Sequence, residues 1–198
     1  MSRPTRHDQL LDAAAALFAR NGFAATSVRE IATQANLTKA GLYYHIREKE
    51  DLLAKICAFS IDTILYGAKQ AVAEAGDPRA RIAALIRNHA GFFFRHPDNL
   101  VVLNRDRRAL PPDERARISA LQRAYLDLIR ETIRDGQETA TFRQADPTVA
   151  AFTLLAALNT LDGWYDAKGP VAPEALVAEI ETILCDGLAE PCMNGGTS

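Results

Sequence analysis

The run TKAGLYYHIREK, residues 38–49, gathers groups that could hydrogen-bond a polyanion and read the edges of its bases. The ammonium of Lys39 can donate to the guanine O6 and N7 acceptors of a duplex. Thr38 stands beside it, and Ala40 and Gly41 are small enough to let a backbone approach closely. Tyr43, Tyr44 and His45 add hydroxyl and imidazole groups. Lys49 combines a charge with the unbonded amides at the start of a helix, which suits a phosphate.

These groups can act together only if short helices hold them. Ser27 with Glu30 three residues on is a capping box, so a helix starts after Ser27. Val28, Ile31 and Ala32 form its apolar face. Ala35 and Leu37 flank a turn, in which Asn36 can take the left-handed conformation that most residues avoid. Thr38 caps a second short helix ending near His45. A helix from Pro4 to Asn21 precedes the pair, with Leu10, Ala13, Ala14, Leu17 and Phe18 on its apolar face and Gly22 at its left-handed end. Two short helices around such a turn form a helix-turn-helix, whose second helix enters the major groove while flanking groups hold phosphates.

The run TSVREIA followed by A, LTKAGLYYHI, KE and L between Thr26 and Leu52 closely resembles the DNA-binding head of TetR-family repressors. So does the earlier pattern of Ala14, Phe18, Gly22, Phe23 and Thr26. The resemblance implies a two-fold symmetric dimer with a three-helix head and a body of about six helices, in which a bound ligand moves the heads apart and releases DNA. It implies phosphate contacts for Thr26 and Ser27 and base contacts for Lys39, Ala40 and Gly41. Tyr43, Tyr44 and His45 would touch bases and backbone, and Lys49 would bind phosphate. Two positions depart from the pattern: Asn36 stands where glycine is common, and Glu48 where a small polar cap is common.

The rest of the chain also reads as helix, so the fold class is all-α. Glycine and proline divide it into helices near 49–75, 79–95, 98–106, 111–138 and 147–167, with a last one opening at Pro173. The expected organisation is a DNA-binding head at 1–48, a ligand-binding and dimerisation body at 49–189, and a disordered tail at 190–198. Tyr66, His89, Phe92, Phe93, Tyr125, Asn159 and Trp164 are candidate ligand-lining residues, against the alternative that the aromatics simply fill a core. Asn159 interrupts an apolar run, and a buried amide needs partners. The stretch from Leu158 to Tyr165, with Gly169-Pro170 and Pro173-Glu174, is similar to a TetR subgroup that senses acyl-CoA thioesters, as is RDRRALPPDER at 105–115. The similarity implies Arg105, Arg107 and Arg108 as partners for CoA phosphates, while Asp166 replaces a basic residue common in that subgroup. An uncharged aromatic or drug-like effector is the alternative. The apolar stripe Leu176, Ile180, Ile183, Leu184 and Leu188 is expected to pair with a second copy.

Composition narrows the classes. The chain of 198 residues is 48% hydrophobic and carries a net charge of −2. Eight basic against six acidic residues leave 1–55 at +2, while 15 against 19 leave the remainder at −4. Cys57, Cys185 and Cys192 are scattered, which fits a reducing compartment. No apolar run reaches the roughly 20 residues of a membrane span, so a cytoplasmic protein is expected. His7, His45, His89 and His96 form no metal-binding pair, and GxSxG, P-loop and GxGxxG motifs are absent. Neither an enzyme nor a cofactor is expected. A helical adaptor would account for the body but not for the head.

Overall fold

A computed structural model describes residues 6–188, and among these the chain is all-α. The helices are α1 (Arg6–Asn21), α2 (Val28–Gln34), α3 (Lys39–Tyr43), α4 (Lys49–Glu74), α5 (Pro78–Arg95), α6 (Pro97–Asp106), α7 (Pro112–Glu138), α8 (Pro147–Asn159) and α9 (Pro173–Leu188). Single 3-10 turns follow α6 at Arg107–Ala109 and α8 at Leu161–Gly163. The expected tail at 190–198 lies outside the described residues.

Most boundaries have a local chemical cause. α1 ends because Gly22 turns to φ +88°, with its N–H returning to the Phe18 carbonyl at 2.8 Å. α8 starts at Pro147 behind Asp146, whose Oδ1 accepts from the Thr148 and Val149 amides at 2.7 and 3.1 Å. α7 closes through Ala140 at φ +54°, unusual for a residue with a Cβ, while the Thr141 and Phe142 amides return to the Gly136 carbonyl. The Phe142 ring lies so close to Gly136 that a Cβ there would overlap it.

One boundary differs from the sequence expectation. α8 stops at Asn159, short of Ala167. Thr160 has left helical geometry, and its hydroxyl donates back to the Ala156 carbonyl at 2.9 Å. A β-branched residue bonding its own preceding turn, then Asp162-Gly163, favours a tight turn over continued helix.

Packing divides the chain into two compact units. The first runs up to Ile64 and resumes from Phe92 to Gln122, and the second holds Leu65–Gly91 and the chain from Arg123 onward. Unit one is built on the expected face of α1: Leu10, Ala14, Leu17 and Phe18 are buried with Ile31, Leu42, Leu52, Leu53 and Ile56, and α1 packs on α6. The motif boundary at 48/49 is therefore not a packing boundary, because the start of α4 belongs to the same core. Unit two buries Ile82, Leu85, Ile86 and His89 of α5, Tyr125, Ile129 and Ile133 of α7, and Leu154 and Leu158 of α8. Leu176 and Ile180 of α9, expected on a face that pairs with a second copy, are already buried within the single chain, whereas Ile183 of the same stripe is 66% exposed. Within unit two, the Arg79–Asp186 and Arg87–Glu181 ion pairs tie α5 to α9. No helix among the described residues is long and apolar enough to cross a membrane.

Candidate functional site

The head is a helix-turn-helix held by reciprocal caps. The Ser27 hydroxyl accepts from the Glu30 amide at 3.2 Å, and the Glu30 carboxylate accepts from the Ser27 amide at 2.7 Å. Those bonds hold the Glu30 carboxyl below the usual carboxylate range. α2 ends at Ala35, and Asn36 takes φ +54°, the left-handed geometry its short amide side chain tolerates. The Leu37 amide then closes on the Ala32 carbonyl at 2.8 Å. Thr38 caps α3 by accepting from the Gly41 amide at 3.0 Å. A Cβ at position 41 would lie 3.2 Å from that Thr38 oxygen, a physical reason for glycine there.

The outer face of this element is presented to solvent. Ala40 is exposed, Tyr43 is 47% exposed and Tyr44 is 87% exposed. Tyr44 stands edge-on to half-buried His45, ring centroids 5.4 Å apart. Lys39 opens α3 through its backbone, and its side chain lies outside the described residues. Such a surface can offer hydroxyl, imidazole and backbone groups to a groove floor, with small residues where contact is closest.

Two of the expected phosphate-binding side chains have hydrogen-bond partners inside the protein. Thr26 is 1% exposed, and its hydroxyl donates to the Gly22 and Leu17 carbonyls at 2.8 and 3.3 Å. It fastens the α1–α2 turn instead of facing solvent. The Lys49 ammonium donates to the Phe23 and Thr26 carbonyls at 2.7 and 2.9 Å and lies 4.3 Å from the Phe23 ring centroid. Its charge is engaged in that same turn in the DNA-free chain, where it orients α4. The sequence reading missed Asp51, whose carboxylate accepts from the Arg47 and Glu48 amides at 2.8 and 3.3 Å and thereby caps α4. A carboxylate in the first turn of a helix was the available signal.

The expected ligand-lining residues separate into three groups. His89, Tyr125 and Asn159 come together inside unit two. His89 Nδ1 lies 3.2 Å from the Tyr125 hydroxyl, and the two rings stack with centroids 5.8 Å apart. The Asn159 side chain hydrogen-bonds the same ring. Burial lowers the His89 pKa to about 4, slightly opposed by the Asn159 side chain, and burial pushes the Tyr125 phenol up.

A second group is not internal. Tyr66 is 69% and Trp164 59% exposed, because both face outward from their elements. The third group belongs to unit one. Phe92 and Phe93 are buried there, Phe92 packing with Phe59 and His96. Arg105 donates to the Phe18 carbonyl and, at 2.9 Å, to the Ala19 carbonyl at the end of α1, and pairs with Asp106. Arg107 donates to Gln122, and Arg108 is exposed. Arg105, expected at a CoA phosphate, thus caps the end of α1 in the ligand-free chain. A cluster of arginines in the sequence says nothing about which carbonyls lie opposite.

Comparison with known proteins places this geometry. Residues 10–56 match the bacterial regulatory proteins of the tetR family, and residues 75–188 match the tetracyclin repressor-like C-terminal domain. The chain is 28% identical over 188 residues to the HTH-type transcriptional repressor KstR2 of Rhodococcus jostii, covering 94% of this chain and 92% of the relative. It is 26% identical over 179 residues to the HTH-type transcriptional activator FasR of Mycolicibacterium smegmatis, covering 89% and 80%. Among solved structures it is similar to AibR in complex with isovaleryl coenzyme A and operator DNA, with a TM-score of 0.82, 28% identity, and coverage of 90% and 97%. With its capped helix-turn-helix at one end and a matching C-terminal domain at the other, the chain belongs to the TetR family of DNA-binding transcriptional regulators.

Proposed function

We propose that the protein is a homodimeric repressor that binds a palindromic operator and is released by a small-molecule effector with an apolar acyl part, of the acyl-CoA thioester class. The observation that carries the DNA-binding part is the left-handed Asn36 turn, which presents α3 with Ala40, Tyr43 and Tyr44 toward solvent. Ser27, Thr38, Gly41 and His45 shape and flank that surface. The repressor assignment is supported by similarity to KstR2. The effector class is supported by similarity to AibR, solved with isovaleryl coenzyme A and operator DNA. The regulator acts in the cytoplasm, without an enzymatic activity or cofactor of its own.

Self-association is supported by an apolar face on α8 and α9. Val149, Phe152 and Ile183 are 64%, 56% and 66% exposed. Val149 and Ile183 border a groove of about 320 Å³ whose lining includes Ala150, Leu154 and Leu184. Apolar side chains in such number on two helices favour burial against a second copy. Light scattering should give twice the 21.6 kDa of one chain, and a monomer at micromolar concentration would contradict the dimer.

An uncharged aromatic or drug-like effector remains the second reading, favoured by one observation. The buried cluster at His89 contains no charged residue, and Arg105 is engaged elsewhere. Fluorescence anisotropy on labelled duplex DNA tests the proposal. Affinity should fall with rising salt, as phosphate contacts demand. Added isovaleryl-CoA or a longer acyl-CoA should lower it roughly 5- to 150-fold. Release only by uncharged aromatic compounds would favour the second reading, and salt-independent or absent DNA binding would defeat both.

A further inference from the structure

The end of α1 is a junction of carbonyls held from several elements of unit one. The last carbonyls of a helix have no partner within it and must find one outside. The Phe18 carbonyl accepts from the Gly22 amide at 2.8 Å, and the Leu17 carbonyl from the Thr26 hydroxyl at 3.3 Å. Just beyond, the Lys49 ammonium at the start of α4 takes the Phe23 and Thr26 carbonyls. Arg105, in the last turn of α6, takes the Phe18 carbonyl a second time and, at 2.9 Å, the Ala19 carbonyl.

These donors come from different parts of the chain. Thr26 and Lys49 lie within residues 10–56, the span that matches the tetR regulatory proteins, as do Phe18 and Ala19. Arg105 lies within residues 75–188, the span that matches the repressor-like C-terminal domain. Its bonds therefore join the two matched parts inside one compact unit, where α6 also packs on α1. α5 leads into α6 through His96 and Pro97. A displacement of the C-terminal part that moves α6 is passed at Arg105 to the end of α1, where the turn toward α2 begins.

The chemistry of the guanidinium suits a joint. The group is planar, and its five donors point in fixed directions. Nη1 and Nη2 donate to the two α1 carbonyls, while Nε and Nη2 donate to the two oxygens of Asp106 at 3.2 and 3.0 Å. The pair with its own neighbour fixes the side chain on α6 and balances its charge. The cation also stands at the C-terminal ends of α1 and α6, the negative pole of each helix. A lysine has a single donor nitrogen and cannot serve both carbonyls and both carboxylate oxygens in this geometry.

We infer that Arg105 is the joint through which effector binding in the C-terminal part reaches the DNA-reading head. The inference rests on the effector reading above and names the contact that transmits it. Arg105 is a positioning residue: it couples two sites and touches neither effector nor DNA.

The experiment measures, on the full-length protein, the affinity for labelled duplex DNA with and without isovaleryl-CoA or a longer acyl-CoA. Calorimetry without DNA gives the affinity for the same acyl-CoA. In the wild type the acyl-CoA should weaken DNA binding roughly 5- to 150-fold. Arg105→Met should bind the acyl-CoA within about threefold of wild type, while release from DNA falls to about twofold or less. A cap that is merely structural would instead lower stability and leave the release factor at its wild-type value. Arg105→Lys should give an intermediate factor, and it serves as the test variant if Arg105→Met does not fold or binds no DNA. A wild type released by no acyl-CoA, with DNA binding intact, would overturn the effector reading and the coupling role with it. Release of the variants by the wild-type factor, or loss of acyl-CoA binding itself in the variants, would overturn the Arg105 assignment alone.

Discussion

The head and the helical unit around His89 use polar side chains in opposite ways. In the head, polar side chains are engaged by backbone: Thr26 with Gly22 and Leu17, Lys49 with Phe23 and Thr26, Ser27 with Glu30, Thr38 with Gly41. The α2–α3 frame is therefore a well-fastened mount, and the groups it leaves outside for the proposed DNA contact are Ala40, Tyr43, Tyr44 and half-buried His45. In the helical unit, His89, Tyr125 and Asn159 are instead side chains from three helices that meet one another, and burial keeps the His89 ring neutral.

The largest test of the saturated head is its core. Phe18 is fully buried and packs edge-on to Phe23 at 5.2 Å, so Phe18→Ala should lower stability by about 3–5 kcal/mol in urea unfolding followed by circular dichroism. The buried histidine gives the next effect. Its pKa falls from 6.5 to about 4 on folding, so below pH 6.5 the unfolded chain binds the extra proton. This contribution to stability is complete above that pH and is lost as pH falls toward 4, at about 1.4 kcal/mol per pH unit. His89→Leu should flatten the slope, and a slope identical to wild type would remove the claim that the ring is buried and neutral.

Lys49→Met sharpens the contrast further. It should cost about 2 kcal/mol by stranding two carbonyls, with the salt dependence of DNA binding by the folded protein unchanged. A phosphate clamp would instead make that dependence shallower by about one unit of slope. The smallest effect is a gain: Ala140→Gly, at φ +54°, should raise the thermal midpoint by relieving about 1 kcal/mol of left-handed strain.

The two regions also differ in how legible they are in sequence. Ser27, Glu30, Asn36 and Thr38 act on residues within a few positions of themselves, so spacing alone places the caps and the turn. Gly22 and Asp146-Pro147 mark helix boundaries for the same reason. The acceptors of Lys49 are not legible, because they lie at Phe23 and Thr26, more than 20 positions back. Nor are those of Arg105, whose carbonyl partners are 86 and 87 positions away. His89, Tyr125 and Asn159 were each noticed as polar or aromatic residues in apolar surroundings, but only packing brings them together and leaves Tyr66, Phe93 and Trp164 out. Asn159 ending α8 was hidden by Thr160, whose hydroxyl turns the chain where apolar periodicity alone would extend the helix.

The central claim is that the exposed face of α3, duplicated in a dimer, reads a symmetric DNA site. Selection from a randomised duplex library by the full-length protein, followed by sequencing of the retained DNA, measures this most directly. The account predicts an enriched palindrome whose half-site centres lie about one helical turn apart or slightly more, roughly 10 base pairs. Retention without enrichment of any sequence, or enrichment of a single unpaired half-site, would contradict it.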